Sequence, residues 1–236
     1  MRLNNYLTEE EKYVILSKEK AMKVVWQKCS DAAKSKTKLF RGSDKNYPAV
    51  IMNPTISPRV SRMKIDFLRL LVDNLPSWSA YPKRTYSILT YNSKRQTAGF
   101  GKYLYRVYPY NGAKLGVCPR GDFNQGAFMK ELGEVGEYRL GSYLQEIFND
   151  VFNLSGNIIK WNDLRRALEL CDRRKTIIEK KYMAGPIDYF FTNHVKYFRT
   201  DIKLIDALDE ALNPEKNGFS IKTIKDNIQG FKEVWA

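Results

Sequence analysis

The sequence predicts an α+β protein built on a small, mainly antiparallel sheet, and three observations carry that reading. Residues 85–91, 103–110 and 113–118 are runs rich in Tyr, Ile, Val and Thr, residues that suit a pleated, half-buried surface. After residue 123 these runs give way to helical periods. A last apolar run, residues 231–235, is expected to return as a strand to the first sheet. The implied organisation is an N-terminal helix within residues 1–36, an α+β core formed by residues 37–124 and 219–236, and a helical unit over residues 125–218.

In chain order, Thr8 and Glu11 form a capping box that predicts a helix from Thr8 to about residue 33. Its inward positions include Tyr13, Leu16, Val24 and Val25, and Lys18, Lys20, Lys23 and Lys28 line the solvated side. Residues 39–42 read as a short strand ending in a turn at Arg41-Gly42. Residues 43–58, with Pro48, Pro54 and Pro58, read as a long loop. A helix over 60–74 follows, stopped by Pro76. Asn111-Gly112 between two strand-like runs predicts a hairpin, because both residues tolerate the positive φ of a type I′ turn. Residues 98–101 read as a loop with a turn or two of helix. Helices are expected over 139–153, from Asn162-Asp163 towards 182, from Thr200-Asp201 to 212, and over 220–228.

Composition bounds the function. No run of about 18 apolar residues occurs, and the first residues lack the apolar segment of a secretory signal, so a cytoplasmic protein is expected. Cys29, Cys118 and Cys171 are odd in number and lack metal-ligand spacing, which argues for reduced, buried thiols and against a zinc site or disulfide framework. The single histidine, His194, stands in an aromatic run and reads as structural. Gly99-Phe100-Gly101 begins like a dinucleotide fingerprint, but Leu104 occupies the place of its third glycine.

The formal net charge of +14 is unevenly placed: residues 1–124 carry 23 Lys and Arg against nine Asp and Glu, and residues 125–236 carry 17 against 17. A positive field confined to one part of a chain attracts phosphates or an acidic protein. Lys83, Arg84, Lys94, Arg95, Lys102 and Arg106 flank strands bearing Tyr86, Tyr91, Tyr103, Tyr105, Tyr108 and Tyr110. Cations interleaved with aromatics on a sheet contact phosphates and stack bases, so one reading is a non-enzymatic nucleic-acid binder. Along the second run, Tyr103, Tyr105 and Val107 fall on one face and Leu104, Arg106, Tyr108 and Tyr110 on the other.

Three short motifs also occur in a fixed order: Phe40-Arg41-Gly42, then Ser87-Ile88-Leu89-Thr90 with Ser93 and Ala98-Gly99-Phe100, then Glu233-Val234-Trp235. On these the chain resembles the arginine-serine-glutamate class of ADP-ribosyltransferases. The resemblance implies an ADP-ribosyltransferase-like sheet and NAD as the donor. It implies that Arg41 and Gly42 hold the NAD phosphates and ribose side, and that Ser87, Thr90 and Phe100 brace the pocket. It assigns Glu233 to stabilising the ribosyl cation, with a host protein or nucleic acid as acceptor; an inactive member of the class is a further possibility. Phe231 stands where members that modify Arg or Asn side chains carry Glu or Gln. The small basic build also resembles proteins that bacteriophages make in a host cytoplasm, which adds a host partner as a third class of function.

Overall fold

The computed structural model describes residues 13–56, 66–120, 123, 126–134, 136–153, 160–228 and 233–236. The chain is α+β and divides into two compact units: residues 1–60, 81–120 and 220–236 form one, and residues 61–80 and 121–219 the other.

Among the described residues, the strands all belong to the first unit. Strand β1 (Tyr13–Leu16) leads into helices α1 (Lys18–Lys28) and α2 (Ser30–Lys34). The capping box at Thr8 lies outside the described residues, and the long N-terminal helix is corrected: Tyr13 and Leu16 belong to a strand. The helix instead begins at Ser17, whose hydroxyl accepts from the Lys20 N–H, and breaks at Cys29, whose ψ of 27° leaves the helical range. Strand β2 (Leu39–Ser43) runs through Arg41 rather than ending there, and β3 (Ala49–Met52) occupies part of the expected long loop, pairing antiparallel with β1. Leu16, Val24 and Ile51 close a small core beneath that pair.

In the second unit helix α3 (Phe67–Val72) starts from an Asp66 cap; the earlier part of the helix expected over 60–74 lies outside the described residues. Back in the first unit come strand β4 (Leu89–Tyr91), one-turn helix α4 (Lys94–Thr97) continued by a 3-10 turn at Ala98–Phe100, and strands β5 (Tyr103–Val107) and β6 (Leu115–Cys118). The run at 85–91 is strand only over its last three residues, because Arg84–Tyr86 is a 3-10 turn. The helical unit continues with α5 (Met129–Leu132), α6 (Gly136–Phe152), α7 (Trp161–Arg173), α8 (Lys175–Tyr182), α9 (Pro186–Asn193) and α10 (Leu204–Ala211). Its core stacks Trp78 against Phe219 and Phe128, with the Trp78 Nε1–H donating to the Leu212 carbonyl at 2.9 Å. Asp172 of α7 accepts from both the Tyr197 hydroxyl and the Leu204 N–H, tying α7 to the start of α10. His194 packs on Phe190 and approaches the Glu131 carbonyl at 3.2 Å, a structural setting.

The last elements are β7 (Ser220–Lys222), a strand where a helix over 220–228 was expected, and β8 (Glu233–Trp235). The six-stranded sheet has the order β5-β2-β4-β8-β6-β7, antiparallel at every pairing. The final apolar run therefore rejoins the sheet, in its middle. The hairpin reading of 103–118 is corrected: β5 and β6 stand three strands apart. Asn111 has no positive φ. Its side chain bridges the α1–α2 junction, accepting from the Asp31 N–H at 3.0 Å and donating to the Ser30 hydroxyl, while its own N–H donates to the Lys28 carbonyl. An asparagine fixed as a cap to another element cannot serve a two-residue type I′ turn.

One face of the sheet packs Leu39, Leu115, Val117 and Val234 against Cys29 and Ala32 of the α1–α2 region and against Ile224 and Ile228. Val107 joins that core as its alternation predicts. So do Tyr108 and Tyr110, because β5 ends at Val107 and the alternation ends with it. All three cysteines are free and buried, and burial raises the Cys29 thiol to about 11, so it stays protonated and unreactive at neutral pH.

Candidate functional site

Residues paired across a ladder project from the same face of a sheet, and neighbours along a strand from opposite faces. The registers Phe40↔Arg106, Phe40↔Tyr91, Tyr91↔Glu233 and Cys118↔Glu233 therefore set Arg106, Phe40, Tyr91, Glu233 and Cys118 in one transverse row on one face. Arg41 follows Phe40, and Val234, paired with Thr90, follows Glu233. Arg41, Thr90 and Val234 thus belong to the opposite face, the one that closes over the core.

This placement separates the three motif residues. The strands carrying Arg41, Thr90 and Glu233 are neighbours, but Arg41 and Glu233 project to opposite sides of the sheet. Arg41 donates from Nη1 to the Leu89 carbonyl at 3.3 Å, and burial holds its guanidinium below the ordinary arginine pKa against the opposing influence of Tyr91. Thr90 is fully buried and donates to the Val234 carbonyl at 2.9 Å. Ser87 is buried and donates to the Lys83 carbonyl at 2.8 Å. As placed, these side chains do not fit a common NAD clamp.

Glu233 is 0% exposed and Arg84 2% exposed. The Arg84 Nε–H donates to Glu233 Oε1 at 3.2 Å, and the Trp235 Nε1–H donates to the same oxygen at 2.7 Å, with Arg84 lying over the Trp235 ring. Gly116, across from Trp235, leaves room for the indole: a Cβ there would come within 2.9 Å of it. This cluster corrects the reading of Arg84 as a surface cation for nucleic acid. A guanidinium that is 2% exposed, with its Nε–H donating to Glu233, is out of reach of a polyanion.

The open part of the Phe40 face carries a groove of about 330 Å³ lined by Lys38, Phe40, Lys94, Leu104 and Arg106. Its floor is apolar: Phe40 is buried and Leu104 is 46% exposed. Its walls are cationic. Lys94 of α4 lies 5.7 Å over the Phe40 ring, and Arg106 lies over Tyr108 at 4.6 Å with Nη2 reaching the Ala32 carbonyl. Arg95 and Lys102 are exposed beside it in sequence on α4 and at the start of β5, whereas Lys83, also exposed, lines no part of the groove. Lys38, Phe40 and Leu104 were not singled out as binding residues from sequence. The signal was present as parity, since Lys38, just before β2, is two residues from Phe40 as Leu104 is from Arg106 on β5, but only the pairing Phe40↔Arg106 reveals that these faces coincide.

Gly42 has a packing role in the same site. A Cβ at Gly42 would lie 2.9 Å from the Phe100 backbone carbon and the Thr97 carbonyl oxygen, so its absence lets the 98–100 turn rest on β2. Gly101 does the same against Ser43, where a Cβ would approach backbone atoms to 2.5 Å. These glycines bring Phe100 onto Tyr91, ring centroids 5.1 Å apart and planes 15° from parallel. The other notable concavity, about 240 Å³ in the helical unit, is lined by Glu146 and Lys181 with tyrosines and Met183, and its two charges offset each other.

Among the described residues no three His, Cys, Asp or Glu side chains gather as a metal site, and no helix is long and apolar enough to cross a membrane. No protein-family model, curated protein or solved structure matches the chain.

Proposed function

We propose that this chain is a nucleic-acid-binding protein that holds phosphates on the outer half of its six-stranded sheet. The observation that carries the reading is the groove, where Lys38, Lys94 and Arg106 surround an apolar floor of Phe40 and Leu104. Charge supports it. The sheet unit carries 23 Lys and Arg against eight Asp and Glu, and its segment Tyr81–Arg120 contains eight cations and no acid. One of those eight acids, Glu233, is buried and committed to Arg84. Lysine and arginine heads over an apolar floor suit a strand whose phosphates lie on the walls and whose sugars and bases lie on the floor. The test is oligonucleotide binding by fluorescence anisotropy across a salt series. A steep linear fall of log affinity with log salt is expected, with a slope of about −0.7 per phosphate neutralised for a single strand. Absence of binding at low salt ends this reading.

Transfer of ADP-ribose from NAD is the second reading, and the strand order is what favours it: β2, β4 and β8, which bear the three motifs, lie side by side. It requires Glu233 to leave its buried contacts with Arg84 and Trp235 and to reach the face that carries Arg41. Labelled NAD incubated with the protein and with nucleic acid or cell-lysate proteins as acceptors decides it. Transfer or NAD hydrolysis that Glu233→Gln abolishes while NAD binding persists would establish the activity. No NAD consumption would remove it.

A further inference from the structure

We propose that the Phe100–Tyr91 pair is a stacking platform for an unpaired nucleobase, so that the protein selects single strands over duplexes. The inference rests on the nucleic-acid reading above and deepens it. Tyr91 is buried in the sheet, directly opposite Phe40 of the groove floor. Phe100 lies nearly parallel on Tyr91, yet it is 46% exposed. A ring with one face supported by a buried aromatic and its other side turned to water is held at a fixed tilt, so a base that stacks on it meets a surface already ordered.

The ring's mounting is specific. The 3-10 turn that carries Phe100 sits on Gly42 and is followed by Gly101 against Ser43, two contacts that any Cβ would disrupt. The surroundings name the occupant. Lys94 and Arg95 precede the ring on α4, Lys102 follows it, and all three are exposed. No acid occurs within Tyr81–Arg120, and the acid beside this turn is Asp44, which accepts from the Lys102 N–H at 3.4 Å. A planar, electron-rich surface flanked along the chain by exposed cations matches a base attached to a phosphodiester backbone. A paired base inside a duplex presents no free face to it.

The experiment compares three labelled probes of equal length at one salt concentration: a single DNA strand, the same strand with abasic sites throughout its centre, and a duplex. Each is titrated with wild-type protein, Phe100→Ala and Phe100→Trp. The wild type is expected to bind the base-bearing strand roughly 5–150-fold tighter than the abasic strand, the range that one stacked base contributes. Phe100→Ala should collapse that ratio towards one while leaving abasic and duplex affinities unchanged, which also reports that the variant is folded. Phe100→Trp should keep the ratio. If wild type binds base-bearing and abasic strands equally, or the ratio survives Phe100→Ala, the platform is overturned while phosphate binding by the groove stands. If no probe binds at low salt, the groove reading falls together with it.

Discussion

Glu233→Ala destabilises the sheet unit by about 3–5 kcal/mol, because removing one partner of a buried ion pair strands the other charge in a low-dielectric interior. Arg84 is 2% exposed, and without the carboxylate its Nε–H loses the oxygen it donates to, as does the Trp235 Nε1–H. The position magnifies the effect, since β8 is only three residues long and pairs with both β4 and β6 in the middle of the sheet. Arg84→Met should cost a comparable amount, as it removes the cation beside a carboxylate that is 0% exposed. The double variant Arg84→Met with Glu233→Leu should recover most of the loss, because apolar replacement of both members of a buried pair is often neutral or better. Chemical denaturation of the four proteins checks this. A Glu233→Ala loss below about 1 kcal/mol, the scale of a surface pair, would show that the Arg84–Glu233 bond does not hold the sheet. The series also bears on ADP-ribosyl transfer, since a loss of activity in Glu233→Ala is informative only in a variant whose sheet remains folded, which favours Glu233→Gln for that purpose.

The combined variant Lys38→Glu, Lys94→Glu and Arg106→Glu should weaken single-strand binding by roughly 10²–10³-fold at low salt and lower the magnitude of the salt slope by about two, near 0.7 for each phosphate that is no longer neutralised. Charge reversal both removes an attraction and adds a repulsion on a surface otherwise free of acids between residues 81 and 120. Lys38 and Lys94 are exposed, so their replacement leaves the core intact. Arg106 also reaches the Ala32 carbonyl and lies over Tyr108, so the single variant Arg106→Gln is the control for any folding effect. The matched reversal of Lys175, Lys180 and Lys181 in the helical unit should leave binding nearly unchanged. Equal losses from the two triple variants would assign the affinity to overall charge and remove the groove as the site.

Much of the architecture was legible because it rests on local patterning. The α+β class, the helical texture after residue 123 and the return of the C-terminal run to the sheet follow from period-2 and period-3.6 patterns. The failures share a cause. Asn111-Gly112 carries a strong hairpin signal, but an asparagine side chain can equally cap a helix, and contacts at Asp31 and Ser30, some eighty residues away, decide which role it takes. Ser220 reads as the start of a helix, yet a partner strand at Leu115–Val117 draws it into the sheet. Propensity is a weak prior that such non-local pairing overrides. Arg84 and Arg95 look alike in sequence, both following a lysine in a basic stretch. One is sealed inside the sheet and the other exposed, because only Arg84 lies across from a buried carboxylate 149 positions further on.

The sequence by itself determined what depends on composition and short-range period: a positive first half and a neutral second half, strands followed by helices, and a closing strand at the C-terminus. The tertiary structure alone decided which face each side chain serves. Strand alternation has a period of two, so the face is fixed by pairing register, and register is set by contacts between segments as distant as Phe40, Tyr91 and Glu233. That single physical fact puts Arg41 and Glu233 on opposite sides of the sheet, buries Arg84, and gathers Lys38, Phe40, Lys94, Leu104 and Arg106 into one groove.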